Sequence, residues 1–306
     1  MTFGAGGHTK ALLKECPGIR VFGLDRDPLA HNLATQLASQ HSQVTPLQGR
    51  FSEVHHLLTA HGITASSVDA VLFDLGASSM QFDTPARGFS ISGDGPLDMR
   101  MDSDRVESQP SAADVVNHLD ESGLYKIIKK YGEEKMARSI ARAIVDSRYA
   151  FGRISTTGQL AKIVSSVFES AHRQDKLMRH SHVATKTFQA LRIFVNNEMN
   201  ELHNGLEIAH HLLRPDTGVC VAISFHSLED RVVKRHFQGI DMDARCNMSI
   251  VDQNRSSAKF YGEDVIQRVM QRRWETVRRM VQPQPEDVEE NPRARSAKLR
   301  AAVKLC

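Results

Sequence analysis

Cysteine is scarce in this chain of 306 residues. The four residues are Cys16, Cys220, Cys246 and Cys306, and no two of them have the C-x-x-C spacing. Scattered cysteines favour neither a disulfide framework nor a structural zinc site, and they are typical of a reducing compartment. The fifteen histidines form adjacent pairs without a matching ligand cluster, so no metal site is expected.

Long apolar runs, internal repeats and a secretory signal pattern are also missing from the sequence. No run approaches the roughly 18 apolar residues that a transmembrane helix needs, so no membrane partner is expected. Hydrophobic residues make up 41% of the chain and charged residues 25%, which is typical of a soluble globular protein with room for one large domain or two ordinary ones.

Excess charge is nearly absent overall, because the net charge is only +3, but the basic residues are unevenly spread. Between Arg268 and Arg300 there are nine Lys or Arg residues against five acids. Such a run is usually a solvated face, yet it leaves room for a polyanionic partner.

The first residues contain an unusual concentration of glycine. Gly4, Gly6 and Gly7 lie within four positions and precede a helix-compatible segment, which predicts a tight turn whose backbone amides can approach a ligand. Asp25 follows 21 residues after Gly4, at the end of an apolar run, where an acid can bond a ribose hydroxyl. Thr9 occupies the third glycine position of G-x-G-x-x-G, so a mononucleoside-like ligand is favoured over a dinucleotide.

The first hundred residues alternate between strand and helix patterns. Strands are predicted at Arg20–Leu24, Val44–Leu47 and Val68–Phe73, with a helix at Pro28–Ala38. This order predicts one mostly parallel sheet, in which ligands bind beyond the carboxyl ends of the strands. Gly4–His8, Asp25, Phe51 and Asp74 are all expected at that edge.

The remainder of the chain begins with an irregular Gly-, Pro- and Asp-rich segment from Asp83 to Arg105, which is typical of an active-site loop. Helices are then predicted at Ala112–Leu119, Leu124–Tyr131, Glu133–Ser147 and Thr157–Ala171. The basic residues of these helices are equally compatible with an RNA-binding patch and with an ordinary solvent-exposed helix face. The rest of the prediction comprises an apolar-periodic run at Ala184–Leu213, a strand at Val219–Ser224, a helix after His226, a polar region at Asp241–Glu263, a basic helix around Trp274 and a last strand at Ala297–Leu305.

Several specific motifs, taken together, resemble the MraW/RsmH family. They are Phe3–His8, Asp74–Ser79, Gly95–Met101, Tyr131–Glu134, Thr187–Arg192, Ser224–Arg231 and Asn291–Ser296, which occur in the family's order. The resemblance runs from Thr2 to about Leu305, apart from the region between about Met242 and Pro285. The amino-acid sequences of Ala184–Leu202 and Ala297–Leu305 are most similar to those of the animal mitochondrial branch of the family.

This resemblance implies an α/β fold, a Rossmann-like class I methyltransferase with a mostly parallel sheet and an inserted helical domain. Residues 1–104 and 201–306 would form the methyltransferase domain, and residues 105–200 the helical substrate-recognition insertion. The implied activity is S-adenosyl-L-methionine-dependent N4-methylation of a cytidine in small-subunit ribosomal RNA. The implied location is the mitochondrial matrix, and ribosome assembly factors are further candidate partners; the oligomeric state is left open.

The family motifs assign a role to each cofactor-site residue. Gly6, Gly7 and His8 would lie near the methionine part of the cofactor and Asp25 on its ribose. Phe51 would lie near the adenine, and Asp74 and Gln81 would complete the pocket. Phe51 could equally be plain core, and Gln81 an ordinary polar group of a loop.

The exocyclic N4 of cytosine is a poor nucleophile, so the enzyme must align the amine and provide a proton acceptor. The base must also be exposed, in a single-stranded loop or by flipping. The candidates for this chemistry are Asp74, Ser78, Asp98, His226 and Glu229. His226 could instead merely cap the helix that begins near Ser227. Arg231, Arg293 and Arg295 are better suited to phosphates.

The resemblance also implies an upstream strand that ends in an Asp two residues before Thr2. Since this strand would be central and buried, we expect the 306-residue form to be unstable or inactive unless the strand is supplied.

Two rival functions remain. A non-catalytic RNA-binding assembly factor would keep the fold and the basic helices without the cofactor. A nucleotide-dependent oxidoreductase is disfavoured by Thr9.

Overall fold

The computed structural model describes residues 1–170, 183–240 and 272–305. The polar region predicted at Asp241–Glu263 lies outside these ranges, as do Cys246 and Cys306. The chain divides into two compact units. The first unit comprises Met1–Thr2, Gly49–Gly76 and Met199–Cys306, and the second comprises Phe3–Gln48 and Ala77–Glu198. The domain boundaries expected from the sequence stay a prediction.

The described helices and strands follow one another in this order: α1 (Gly7–Glu15), β1 (Val21–Asp25), α2 (Pro28–Gln40), β2 (Val44–Gln48), α3 (Val54–Ala60), β3 (Ala70–Asp74), α4 (Ser79–Asp83), α5 (Ala112–His118), α6 (Glu121–Gly132), α7 (Ala137–Phe151), α8 (Thr157–Ser170), α9 (Thr185–Val195), α10 (Glu198–Leu212), β4 (Val219–Ser224), α11 (Ser227–Phe237), β5 (Trp274–Val281), α12 (Pro285–Glu290) and β6 (Lys298–Lys304). Short 3-10 helices at Phe51–Glu53, Pro85–Arg87, Ser103–Arg105 and Pro292–Ser296 complete the set.

The first unit contains a four-stranded sheet in the order β3-β4-β6-β5. Strands β3 and β4 are parallel, with Asp74 opposite Ile223, whereas β6 is antiparallel to both β4 and β5. Its core is built by Phe73 of β3 and Ala302 of β6, with Leu206 of α10, all almost fully buried. Positions along β4 alternate between buried and partly buried, and its almost continuous apolar run is what predicts a strand from the sequence.

The second unit combines the parallel pair β1-β2 with the helices α5 to α9. A small core around Phe3, Ala34 and Val44 supports the strand pair. A larger core is formed by the apolar stripes of the helices, for example Ile128 of α6 and Ile144 of α7. Their 3.6-residue spacing is the signal that predicts them correctly.

The irregular segment before α5 is packed into the larger core of the second unit. Leu97, Met99 and Met101 are buried among its helices. Two glycines permit this path. A Cβ on Gly88 would lie 2.3 Å from the Pro96 carbonyl oxygen, and a Cβ on Gly95 would lie 2.0 Å from the Pro85 carbonyl oxygen. The backbone at Gly88 also has a positive φ of 75°.

Asp94, in the same segment, holds the start of α8. Its carboxylate accepts a 2.8 Å hydrogen bond from the Gly158 amide. This bond is the main cause that lowers the pKa of Asp94 below its ordinary value, although burial opposes it. The segment is therefore fixed to the helical bundle at its middle as well as through its apolar side chains.

The helix predicted around Trp274 is wrong, because this residue begins strand β5. Trp274 is buried, with its ring centroid 5.2 Å from that of Phe237 and 5.0 Å from that of His210. Pairing with β6 fixes the extended backbone. Tertiary contacts therefore override the helix-like local composition.

The run predicted at Ala184–Leu213 is divided into α9 and α10. Asn197 has a positive φ of 52°, which ends the first helix before the second begins. The expected single sheet also differs from the structure, since the described strands form a pair and a separate four-stranded sheet, and only two of their four pairings are parallel. Both antiparallel pairings involve β6, which lies between β4 and β5.

Within the described ranges, the structure contains no helix that is both long enough and apolar enough to span a membrane.

Candidate cofactor-binding and catalytic residues

The glycine turn at the start of the chain opens directly into α1. Gly4 and Gly6 have positive φ angles of 56° and 79°, and a Cβ on Gly6 would lie 2.8 Å from the Phe3 ring. No atom lies within 4 Å of a Cβ built on Gly7. Since Gly6 is the N-cap residue, no N-cap side chain occupies the helix start, and no acid lies in its first turn. Backbone amides in this arrangement suit a carboxylate or another anion.

Asp25 ends β1 and is bound to the glycine turn. Its Oδ2 accepts a 2.8 Å hydrogen bond from the Gly4 amide, and its Oδ1 accepts one of 3.0 Å from the Asp27 amide. Burial raises the pKa of Asp25 above its ordinary value, although these two hydrogen bonds oppose the shift. The glycine turn and Asp25 are therefore in contact, as the sequence predicts, and both belong to the second unit.

Gln81 belongs to a buried polar cluster in the same unit. It lies in the first turn of α4, and its Nε2 donates a 2.6 Å hydrogen bond to Oδ2 of Asp27. Asp27 caps α2 through the Leu29 amide and also pairs with Arg87 at 2.8 Å. The amide of Gln81 is therefore held in a fixed orientation.

Phe51 and Asp74 lie in the first unit. The Phe51 ring packs edge-on against Phe73, with centroids 5.4 Å apart, and it is only partly buried. Gly205 of α10 allows this packing, because a Cβ there would lie 3.0 Å from Phe51. Asp74 is the last residue of β3, and its amide donates a 2.6 Å hydrogen bond to Oγ1 of Thr2.

Two of the catalytic candidates, Ser78 and Asp98, have structural partners in the second unit. Ser78 is the N-cap residue of α4, where its hydroxyl accepts from the Gln81 amide and Gln81 Oε1 accepts from the Ser78 amide. Both carboxylate oxygens of Asp98 accept 2.8 Å hydrogen bonds from Arg100. These contacts supply a structural reason for each residue, and their catalytic roles stay predictions.

His226 and Glu229 form a close pair at the start of α11. His226 Nδ1 accepts a 3.4 Å hydrogen bond from the Glu229 amide. The other ring nitrogen, Nε2, lies 2.9 Å from Oε1 of Glu229, at ion-pair distance but without hydrogen-bond alignment. Glu229 is buried, and its Oε2 accepts from the Phe225 amide at 2.8 Å. The alternative that His226 caps the helix is confirmed.

The three predicted phosphate-binding arginines are exposed in the first unit. Arg231 lies on α11, and Arg293 and Arg295 lie on the 3-10 helix before β6. The neighbouring Asp230 pairs with Arg300 of β6 at 2.7 Å. Burial would raise the pKa of Asp230, but Arg300 and Lys298 outweigh it and hold the pKa below its ordinary value.

One polar cluster escapes the sequence-based prediction. Asp102 is fully buried and accepts hydrogen bonds from Arg26, which follows β1, and from Arg105. Arg26 also donates to the Asn196 carbonyl at 2.8 Å, and the Asn196 side chain accepts from the Met101 amide at 2.8 Å. Asp102 carries no sequence signal of its own, because it stands among other charged residues such as Asp98, Arg100 and Asp104.

Comparison with known proteins gives concordant matches along the whole chain. The profile of the MraW methylase family matches residues 1–305. The 12S rRNA N(4)-cytidine methyltransferase METTL15 of Homo sapiens is 50% identical over 315 residues, which cover 100% of this chain and 77% of that protein. The probable methyltransferase-like protein 15 homolog of Drosophila melanogaster is 48% identical over 308 residues, covering 99% and 86%. The ribosomal RNA small subunit methyltransferase H of Methylobacterium nodulans is 44% identical over 302 residues, covering 98% and 82%.

Proposed function

The chain belongs to the MraW methylase family, and from this premise we propose that it transfers a methyl group from S-adenosylmethionine to N4 of a cytidine in small-subunit ribosomal RNA. Family membership confirms the expected Rossmann-like class and the methyltransferase activity. The name of the human relative, which specifies 12S rRNA, supports a mitochondrial ribosomal substrate and the mitochondrial matrix as the location. Ribosome assembly factors are proposed as additional partners.

The cofactor would be bound by residues whose geometry fits its parts. The amides at the start of α1 suit the methionine carboxylate, and the absence of atoms near a Cβ on Gly7 leaves space there. Asp25, which the Gly4 amide holds in place, would accept hydrogen bonds from the ribose hydroxyls. His8, Gln81, Phe51 and Asp74 keep the roles that the family motifs assign.

S-adenosylmethionine supplies an electrophilic methyl group on a sulfonium centre. The protein must orient the cytosine amine and accept the proton that N4 loses when the new N–C bond has formed. Asp74 at the end of β3 and His226 with Glu229 at the start of α11 are the proposed groups for this work. Asp98 and Ser78 would help to position the cytosine rather than accept its proton, because Asp98 is hydrogen-bonded to Arg100 and Ser78 caps α4.

The observation that carries this proposal is the hydrogen bond between the Gly4 amide and Asp25. It joins the glycine turn to the acid at the end of the neighbouring strand, which is the arrangement that recognises a nucleoside ribose.

The direct test is to incubate the full chain with methyl-labelled cofactor and small-subunit ribosomal RNA, digest the RNA and identify nucleosides by mass spectrometry. We expect labelled N4-methylcytidine at a single position. The matched control is Asp25→Asn, which should lose the product at a low cofactor concentration. Cofactor binding in equilibrium dialysis with no methylated nucleoside would contradict the proposed reaction. Absence of both would favour the non-catalytic assembly factor.

A further inference from the structure

Helix α7 extends past the core that it helps to build. Its buried stripe consists of Ala137, Ile140, Ala141 and Ile144. The same helical spacing continues to position 151, yet Phe151 is 90% exposed. Tyr149, two residues earlier, is 81% exposed. The last turn of the helix therefore presents two aromatic rings to solvent.

These rings are the most exposed large apolar side chains in the described part of the protein. The turn that carries them is anchored by Arg148, whose Nη1 donates to the carbonyls of Val116 and Leu119 at 2.9 and 2.7 Å. The Arg148 guanidinium also lies 5.6 Å from the centroid of the Tyr149 ring. The two rings are therefore held at a fixed place in water, where a partner can reach each of them.

The stretch of chain that carries the two rings is rich in basic residues. From Lys135 to Arg153 the chain has five basic residues and one acid, Asp146. Asp146 lies 3.6 Å from Arg142. Arg153 is exposed, and its Nη2 donates a 2.9 Å hydrogen bond to Oδ1 of Asp114 on α5. The excess of basic residues in this stretch of chain is compatible with a polyanionic partner.

The arrangement of the rings favours a nucleic acid over a protein. Residues two positions apart on a helix point about 200° apart, so the rings do not form the contiguous apolar patch that a protein partner needs. A base needs only one ring face for stacking. Arg153, two residues after Phe151, is exposed and suited to a phosphate.

We propose that the last turn of α7 binds single-stranded RNA, with one base stacked on Tyr149 and another on Phe151. The inference rests on the proposed function for its substrate class. It adds a contact surface for nucleotides that flank the modified cytidine, and it assigns Arg148 to holding this surface and Arg153 to the RNA backbone.

The test compares binding of a fluorescein-labelled, mixed-sequence single-stranded 20-nucleotide RNA by the full chain and by Y149S/F151S. We expect the affinity to fall roughly fivefold or more for each ring removed. Y149W/F151W should bind like the parent, because stacking surface is retained. Val277→Ser, which removes another exposed apolar side chain, should have no effect. Equal binding by Y149S/F151S and the parent, or no binding by the parent, would overturn the proposal.

A second measurement needs no variant. RNA containing 5-iodouridine is irradiated with the parent protein, and the crosslinked peptides are sequenced by mass spectrometry. Crosslinks at Tyr149 or Phe151 are expected. Crosslinks at other positions alone would contradict the proposal and would leave the rings as a surface for another kind of partner.

Failure of this inference and failure of the proposed function are distinguishable. N4-methylcytidine formation that does not depend on the two rings removes the inference and keeps the function. RNA binding that depends on the rings, without any methyl transfer, keeps the inference and removes the proposed function.

Discussion

At the residue scale, Asp25 combines a functional position with an unfavourable environment. Burial raises the pKa of its carboxyl group, and the Gly4 and Asp27 amides only partly compensate. The folded protein therefore binds a proton more tightly at this site than the unfolded chain does. The group's contribution to stability is greatest below the unfolded pKa of about 3.9 and decreases as the pH rises through the folded value.

Cofactor affinity should change in the opposite direction. On the proposed role of Asp25, the ionised carboxylate would accept from the ribose hydroxyls, so the affinity for S-adenosylhomocysteine, the product form of the cofactor, should rise with pH as the group ionises and then level off. Isothermal titration calorimetry across this range checks the trend. Asp25→Asn should bind more weakly and lose the pH dependence, whereas Asp104→Asn, at an exposed acid, should behave like the parent. An identical pH profile for Asp25→Asn would contradict the assignment.

Gly6 is the residue of the turn at which a side chain is least tolerable. Gly6→Ala introduces a Cβ at a positive φ of 79° and places it against the Phe3 ring. We expect a loss of about 1–2 kcal/mol from backbone strain alone, and a further loss of cofactor affinity as the turn shifts. Thermal unfolding and calorimetric titration measure the two effects.

The matched control is Gly62→Ala, which shares a positive φ of 74° but has no atom within 4 Å of the new Cβ. It should lose similar stability from strain and retain full cofactor affinity. If both variants lost affinity equally, the effect would be one of general strain rather than of the turn.

At the scale of elements, Asp102 holds together segments that are distant in sequence. Its buried carboxylate is shared by Arg26, after β1, and Arg105, before α5. Asn196, between α9 and α10, joins the same cluster by accepting from the Met101 amide and donating to the Met99 carbonyl. The polar cluster therefore fixes the path of the irregular segment over the helices.

Replacing Asp102 with Ala should destabilise the protein by about 3 kcal/mol, because it leaves two arginines without their buried counter-charge. Chemical denaturation measures this change. Asp104→Ala is the matched control, since the Asp104 side chain is 95% exposed and lies 3.6 Å from Arg100, and it should cost well under 1 kcal/mol. Equal losses of unfolding free energy for the two substitutions would show that the buried cluster stabilises the fold no more than an exposed ion pair does.

His226 combines a helix cap with a catalytic candidate, and His226→Asn separates the two roles. Asparagine is a good N-cap residue, so α11 and the melting temperature should be preserved. If the ring handles the proton, methyl transfer should fall by about a hundredfold or more. Single-turnover assays with saturating cofactor give the rate, and His118→Asn, at an exposed histidine, is the control. Full activity of His226→Asn would leave His226 as a cap only.

At the scale of the whole molecule, the net charge of +3 is too small to attract RNA by itself. Binding must depend on local groups such as Arg231, Arg293 and Arg295, which are exposed in the first unit. Their predicted role is contact with phosphates, which releases counterions and makes binding salt-dependent.

The triple variant R231Q/R293Q/R295Q should therefore reduce the slope of log affinity against log salt concentration by about 2, since each single-strand contact contributes about 0.7. Fluorescence anisotropy at four salt concentrations provides the slope. Lys162→Gln, on the exposed side of α8, should leave it unchanged. A lower affinity with an unaltered slope would mean that these arginines act without contacting phosphates.

Much of this architecture follows from local sequence pattern. The strands β1, β2 and β4 and the helices α5 to α8 are predicted within a few residues, because their apolar periodicities are regular and their ends carry signals such as the Asp27-Pro28 start of α2. The glycine turn and Asp25 are also predictable, because positive φ angles favour glycine and because Asp25 stands at the end of an apolar run.

What only the tertiary structure decides is long-range pairing. Trp274 is in a strand because β6, Phe237 and His210 surround it, and Asp102 is buried because Arg26 and Arg105 reach it from other segments. Such contacts depend on residues far apart in the chain, so no local pattern encodes them. The sequence by itself determined the glycine turn and the family; packing determined which polar side chains hold the fold and which aromatic rings remain in water.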